Sequence, residues 1–129
     1  MVAALITRET EVLICQRTAD QPMPLKWEFP GGKIEPQEEE VAALRRELQE
    51  ELGISATIGE KVAAFEHHYK KGGAVRLHFY RVREYEGEIQ NRIFAQVRWV
   101  PLHSLPSFDF LEADRDLVRQ LALGELLAE

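Results

Sequence analysis

The chain holds a single cysteine, Cys15, so no internal disulfide can form. That suits a reducing compartment and leaves the fold without a covalent staple. Cys15 lies in the apolar run Val12-Leu13-Ile14-Cys15 and reads as a small buried filler. Long hydrophobic runs are missing too. None approaches the ~20 residues of a transmembrane helix, so no membrane partner is expected. The segment Met1 to Thr10 has too short an apolar stretch for a signal peptide, and Arg8 and Glu9 follow it at once. A cytoplasmic protein is expected. Positive charge is scarce: 16 Lys and Arg face 22 Asp and Glu, for a net charge of −6. Polymeric nucleic acid demands a basic surface, so DNA- and RNA-binding classes are disfavoured. A small polyanion stays admissible if divalent cations lie between it and the protein's carboxylates. Repeats, low-complexity tracts and linkers are also absent. Residues 1–129 therefore read as one domain, large enough for a real core.

Punctuation and periodicity give the elements. Val2 to Thr7 and Glu11 to Arg17 read as strands around a polar turn. Thr18 to Lys26 contains Pro22 and Pro24 and must be a loop. Trp27 to Gly32 is a short extended piece ending in a double glycine. A helix is expected from about Gln37 to Leu52, stopped by Gly53. Ile54 to His68 and Gly73 to Arg83 read as a hairpin turning through Lys70 to Gly73. Gln96 to Val100 is a further strand, and Asp109 to Leu127 a closing helix starting near Phe110. Strands, a central helix, more strands and a final helix predict an α/β fold with a mixed sheet between helices.

What the chain does have is a dense run of acids after that glycine pair. Residues 32 to 54 follow the spacing G-x5-E-x7-R-E-U-x-E-E-x-G-U, where U is a bulky aliphatic. The fixed positions are Gly32, Glu38, Arg46, Glu47, Leu48, Glu50, Glu51, Gly53 and Ile54. At 100° per residue, Val41, Leu44, Leu48 and Leu52 fall in a stripe of about 80° that should face the core. Glu47, Glu50 and Glu51 stand at i, i+3 and i+4, so their carboxylates share a neighbouring face. Three anions so close repel one another in water. They become favourable around Mg²⁺, with Mn²⁺ the alternative, because such ions want hard oxygen ligands. Arg46 can reach Glu50 one turn on and Glu38 two turns back, and so reads as an orienting residue. Glu38 has the same supporting role near the helix start. Gly31 and Gly32 let the backbone bend tightly and approach a metal or phosphate. Glu47 is the expected general base, as the cluster member with freest access on the helix pattern.

This pattern resembles the Nudix box, the signature of hydrolases that cut nucleoside diphosphates linked to another group. The segments Gln16 to Asp20 and Trp27 to Lys33 look like the MutT-type subfamily, which sanitises nucleoside triphosphate pools. So, more weakly, does Phe110 to Val118. The resemblance implies an α/β/α sandwich and a divalent metal held by Glu47, Glu50, Glu51 and the Gly31 carbonyl. It implies a cut between the α- and β-phosphates, releasing a nucleoside monophosphate and pyrophosphate. It places Arg17 on substrate phosphate, a task that Lys33 could share, and Glu28, Phe29 and Pro30 along the nucleotide. Many relatives carry another acid in the loop before the late tryptophan. Here Arg92 to Trp99 contains none, so the load falls back on the helix.

The resemblance puts Asp114 at the base edge, where the 8-oxoguanine-selective prototype has asparagine. An amide donates and accepts, whereas an ionised aspartate only accepts. Asp114 could take N–H groups of guanine or the N4 amino group of cytosine, or be only a polar residue at a helix start. Tyr69, His67, His68, Phe79 and Tyr80 are candidates to stack on a base, though strand aromatics are usually core. Trp27 and Trp99 read as packing residues. The expected function is Mg²⁺-dependent cleavage of modified nucleoside triphosphates such as 8-oxo-dGTP. The alternatives are a CTP or modified dCTP pyrophosphohydrolase, or a nucleotide-sensing module without catalysis. A complete set of three glutamates argues against the sensor. The only expected partner is a small-molecule nucleotide, and monomer and homodimer both stay open.

Overall fold

A computed structural model of the chain describes residues 1–127. Nine strands and two α-helices form three layers. The strands are β1 (Val2–Arg8), β2 (Glu11–Gln16), β3 (Trp27–Glu28), β4 (Gly31–Gly32), β5 (Ser55–Thr57), β6 (Lys61–His68), β7 (Ala74–Val82), β8 (Glu84–Glu86) and β9 (Gln96–Pro101). The helices are α1 (Glu40–Leu52) and α2 (Arg115–Ala122), with short 3-10 turns at Leu102–Ser107 and Glu112–Asp114.

β1 is central. It pairs in parallel with β7 along one edge, and β7 pairs antiparallel with β6. The sheet is thus mixed. Successive strand residues point to opposite faces, and both faces of β1 are covered. Val2, Ala4 and Ile6 join Leu44, Leu48 and Leu52 of α1 in one apolar cluster. Ala3 and Leu5 join Leu117, Val118 and Leu121 of α2 in the other. That is why Val2–Ile6 reads as a continuous apolar run rather than an alternating one.

The other edge of β1 positions the site. β1 and β2 pair only near their turn, at Thr7↔Val12 and Arg8↔Glu11. Beyond it they splay, and the segment Trp27 to Gly32 fills the gap. Trp27 and Glu28 pair with the end of β2, while Gly31 and Gly32 pair with the start of β1. The Ala4 amide donates to the Pro30 carbonyl at 2.8 Å in between. Gly31 sits at φ +157, and a Cβ there would overlap the Val2 carbonyl oxygen. Only glycine lets the wedge lie this close to β1.

Several boundaries differ from the sequence reading. Helix α1 begins at Glu40, not Gln37, because Gln37 takes φ 66 and Glu38 folds back on Glu35. Ala43 rather than Val41 completes its fully buried face, Val41 being half-buried. Ile54 to His68 is not one strand. At Gly59 the chain passes against the Arg81 carbonyl, so the piece before it, β5, pairs with β8 as a separate ribbon. The closing helix is shorter than Asp109–Leu127. The Trp27 amide donates to the Asp109 carbonyl, and Trp27 and Phe110 form a parallel bridge, which holds that stretch extended. Gly124, at φ 81, follows the other end. Leu126 and Leu127 still pack against the core, whereas Leu123 is exposed. The expected domain ends at Glu129, and residues 128–129 lie outside the described residues. Among the described residues, no helix is long and apolar enough to cross a membrane.

Leu48 is fully buried between α1 and β1. Leu48→Ala should lower unfolding free energy by about 3 kcal/mol in urea titrations, the usual cost of such a cavity. A loss under about 1 kcal/mol would mean that the α1 layer is not packed as described.

Candidate active site

The wedge sets the backbone of Gly31 and Gly32 against α1. The Gly31 amide donates to Glu51 Oε1 at 3.1 Å. A Cβ on Gly32 would lie 2.5 Å from the Glu47 carboxyl carbon, so that carboxylate rests directly on the glycine. Two helix carboxylates thereby meet over a glycine floor. Burial, then the neighbouring Glu47 charge, pushes the Glu51 carboxyl up to about 8, opposed by the Gly31 amide.

Arg46 organises the opposite side of Glu47. Its Nε and Nη2 donate to the two Glu38 oxygens, each at 2.9 Å, and its Nη1 donates to Glu47 Oε1 at 2.9 Å. Nη2 also donates to the Lys33 carbonyl at 3.1 Å, tying the helix to the strand before it. Glu50 lies 3.6 Å from Nη1. The Arg46 hydrogen bonds hold the Glu38 carboxyl down at about 2.

The structure corrects the expected order of access. Glu47 is 14% exposed and Glu50 58%, because Glu47 lies under Arg46 and on Gly32. The three carboxylates also do not converge. Among the described residues no group of three or more His, Cys, Asp or Glu is gathered closely enough to hold a metal. Glu47 and Glu51 meet, while Glu50 turns outward.

Beside this pair opens a cavity of about 280 Å³, near the lower end for small-molecule sites. Arg17, Glu28, Phe29, Gly31, Gly32 and Asp114 all line it. Arg17 is held by Pro22 and Glu28: Nε donates to the Pro22 carbonyl at 2.9 Å and Nη1 to Glu28 Oε1 at 3.2 Å. Burial raises the Glu28 carboxyl above its ordinary value, against the pull of Arg17. Asp114 is 5% exposed, and burial with the nearby Glu28 charge pushes it up to about 7. Phe29 stacks on Phe110 at 5.3 Å.

Two expected contacts are not made at this cavity. Pro30 is buried in the wedge, and the exposed Lys33 contributes its carbonyl to Arg46 instead of a side chain to the wall. Gly53 adopts φ 69 and caps α1. Of the aromatic candidates only Tyr69 reaches the cavity. Phe79 is core, and Tyr80 donates to Glu40 at 2.6 Å. Met23, Val75, Leu77 and Leu111 supply apolar wall that sequence reasoning missed. The alternation of Val75 and Leu77 in β7 is legible, but nothing local tells which face opens onto a cavity.

The fold is an α/β/α sandwich in which Glu47 and Glu51 of α1 meet over the glycine pair. Comparison with known proteins gives the family. A CTP pyrophosphohydrolase of Escherichia coli (strain K12) is 37% identical over 118 residues, spanning 92% of this chain and 87% of that one. An 8-oxo-dGTP diphosphatase of Haemophilus influenzae is 35% identical over 122 residues, spanning 93% and 89%. The crystal structure of a MutT NUDIX hydrolase from Burkholderia pseudomallei superposes with a TM-score of 0.82 at 26% identity, covering 92% of this chain and 94% of that one. The NUDIX domain model matches residues 1–121, and the chain belongs to that family of hydrolases. Its members generally require a divalent metal. The donor set is chemically suited to one: hard carboxylate oxygens, a glycine floor, and a Glu51 whose carboxyl burial and then the Glu47 charge push up to about 8.

An acid whose pKa is raised by folding binds more protons folded than unfolded. Stability then falls as pH rises from the unfolded value to the folded one, and is level above. For Glu51 that window runs from 4.5 to about 8, and for Asp114 from 3.8 to about 7. Between pH 7 and 8 Glu51 acts against the Met1 amine, which burial lowers from its ordinary 8.0, so the Glu51 part is read as the difference between wild type and Glu51→Gln. Without divalent metal, the wild-type urea midpoint should drop relative to the variant's over that last interval, and Mg²⁺ should restore it. A difference indifferent to pH and Mg²⁺ would refute the paired-acid reading.

Proposed function

We propose that the chain is a Mg²⁺-dependent nucleoside triphosphate pyrophosphohydrolase that clears modified nucleotides such as 8-oxo-dGTP. The observation that carries this is the continuity of the site. One cavity joins Arg17, Glu28 and Asp114 to the glycine pair on which Glu47 and Glu51 rest. Relatives named for 8-oxo-dGTP and CTP hydrolysis match over nearly the whole chain and support it. The reading takes a small-molecule nucleotide as the sole partner, with the protein working in the cytoplasm as a monomer or homodimer.

Glu47, Glu51 and the Gly31 carbonyl would hold the ion, with Mn²⁺ as a substitute. The exposed Glu50 joins by a change of rotamer. When bound, the cation neutralises phosphate charge and lowers the pKa of water. Arg46 keeps Glu47 oriented, and the fixed Glu47 carboxylate takes the proton of the attacking water. Placement replaces access as the reason for that choice, since a general base must stand within hydrogen-bond reach of the proton it removes. Arg17 meets phosphate, giving up its bond to Glu28 or Pro22, and Lys33 screens from the rim. Attack at the α–β bridge releases the nucleoside monophosphate and pyrophosphate.

Glu47→Gln keeps an acceptor for Arg46 but cannot take a proton. It should cut kcat by about 10²–10⁴-fold with little change in KM. Near-full turnover in that variant, with collapse in Glu50→Gln, would move the base to Glu50.

Asp114 faces the base edge. Near neutrality it divides between an ionised form that only accepts and a neutral form that also donates. The neutral form donates as well as accepts, so like an amide it can match guanine O6 together with an N–H, where the ionised form can take only the N–H groups. The ionised form suits the cytosine amino group, which keeps CTP and modified dCTP as the second reading. The kcat/KM ratio of 8-oxo-dGTP to CTP should therefore fall several-fold as pH rises through about 7, the value to which burial pushes Asp114. Asp114→Asn should make the ratio pH-independent. A ratio unchanged by pH and by Asp114→Asn would remove Asp114 from base selection.

A further inference from the structure

The loop between β8 and β9, which has no acid from Arg92 to Ala95, closes onto the far end of helix α1. The last four carbonyls of an α-helix lack partners within it, and the final turn frays unless something else satisfies them. Here that turn bears Glu50 and Glu51. The Gly53 amide donates to the Gln49 carbonyl at 3.1 Å. The Gln90 amide donates to the Leu52 carbonyl at 2.8 Å, and the Arg92 amide to the carbonyl of Glu51 itself at 3.2 Å. The Arg92 side chain adds a further bond, Nη1 to the Gln49 carbonyl at 3.0 Å, and its Nε donates to Gln90 Oε1 at 3.2 Å.

The loop is rigid enough to act as a clamp. Asn91 and Phe94 exchange two hydrogen bonds, each 2.8 Å long, and Phe94 is plugged into the core on the α1 side. The next amide, of Ala95, donates to the Gln16 carbonyl. Arg92 therefore projects from a fixed base. Its charge also stands at the negative end of the helix dipole, where a cation is favoured.

We propose that Arg92 is a positioning residue for the metal site, setting the last turn of α1 so that Glu51 and Glu50 present their carboxylates to a divalent cation. It touches neither substrate nor ion and acts through the Gln49 carbonyl and the loop it braces. Arg46 anchors the helix from its middle to Glu38 and Lys33, and Arg92 bonds a carbonyl at the helix end, the Gln49 oxygen. The inference rests on the metal-binding reading above.

The test is thermal unfolding of wild type, Arg92→Ala and Arg92→Lys across a Mg²⁺ titration, run beside the Mg²⁺ dependence of turnover. In Arg92→Ala the Mg²⁺ concentration giving half the rise in melting temperature should increase about fivefold. That lies below the ~10–100-fold for groups bonded directly to metal ligands. The half-activating Mg²⁺ concentration should move in parallel, with nucleotide KM at saturating Mg²⁺ unchanged. Arg92→Lys keeps the charge and one donor and should recover most of the shift. A merely structural Arg92 would lower the melting temperature in chelator and leave both Mg²⁺ midpoints unmoved, which would overturn the inference. If wild type itself gains nothing from Mg²⁺, the metal reading fails first and this one with it.

Discussion

The architecture turns on two carboxylates held together where neither can be fully hydrated. Glu47 and Glu51 would separate in water. In the fold, the core stripe of α1 fixes their helix, and the wedge between β1 and β2 brings Gly31 and Gly32 up against them. The splay of a single hairpin therefore creates the floor of the site. Had β1 and β2 paired along their whole length, no backbone would stand between them to meet the helix. Burial and the Glu47 charge together raise the Glu51 carboxyl, and on the proposed function a divalent cation would offset both.

Arginine distributes that stress. Arg46 contacts Glu38, Glu47 and the Lys33 carbonyl, with Glu35 and Glu50 within 4 Å. It neutralises the outer side of Glu47 and leaves Glu51 uncompensated on the inner side. The asymmetry is chemical: one acid is oriented by a guanidinium, and the other is pushed up by burial and its neighbour. In the adjoining cavity Arg17 does the same for Glu28 and leaves Asp114 without a cation beside it. Each of two neighbouring acid pairs thus keeps one member paired and the other poised between protonation states.

Much of this was legible in the sequence because the signals were local. The spacing of Leu44, Leu48 and Leu52 fixes which face of α1 is buried, and so which face carries the glutamates. Gly53 marks the helix end through its left-handed backbone. The links that needed long-range contact were not legible. Asp109 and Phe110 look like a helix start until Trp27 pairs with them, and no local propensity reports a partner some eighty residues away. The accessibility of Glu47 was misjudged for the same reason: a helical wheel knows nothing of the glycine that arrives from another element. The burial of Asp114, which shifts it towards neutrality, likewise depends on its neighbours in space.

An acidic chain that takes a polyanion faces an electrostatic contradiction, and the two ends of α1 show how the fold resolves it. At the start of the helix, Glu40 is engaged by Tyr80 and Lys61, so its charge is spent within the protein. At the last turn Glu51 meets the Gly31 amide on the site side, and the two arginines bonded to this helix are committed to holding it. Arg46 is saturated by carboxylates, and Arg92 is turned to a backbone carbonyl. Neither is placed to neutralise a triphosphate. Arg17 is the arginine left at the cavity, and on the proposed function a divalent metal supplies the rest of the positive charge that a triphosphate requires. On that proposal metal and substrate affinity are coupled, by the arrangement of the arginines as much as by the glutamates themselves.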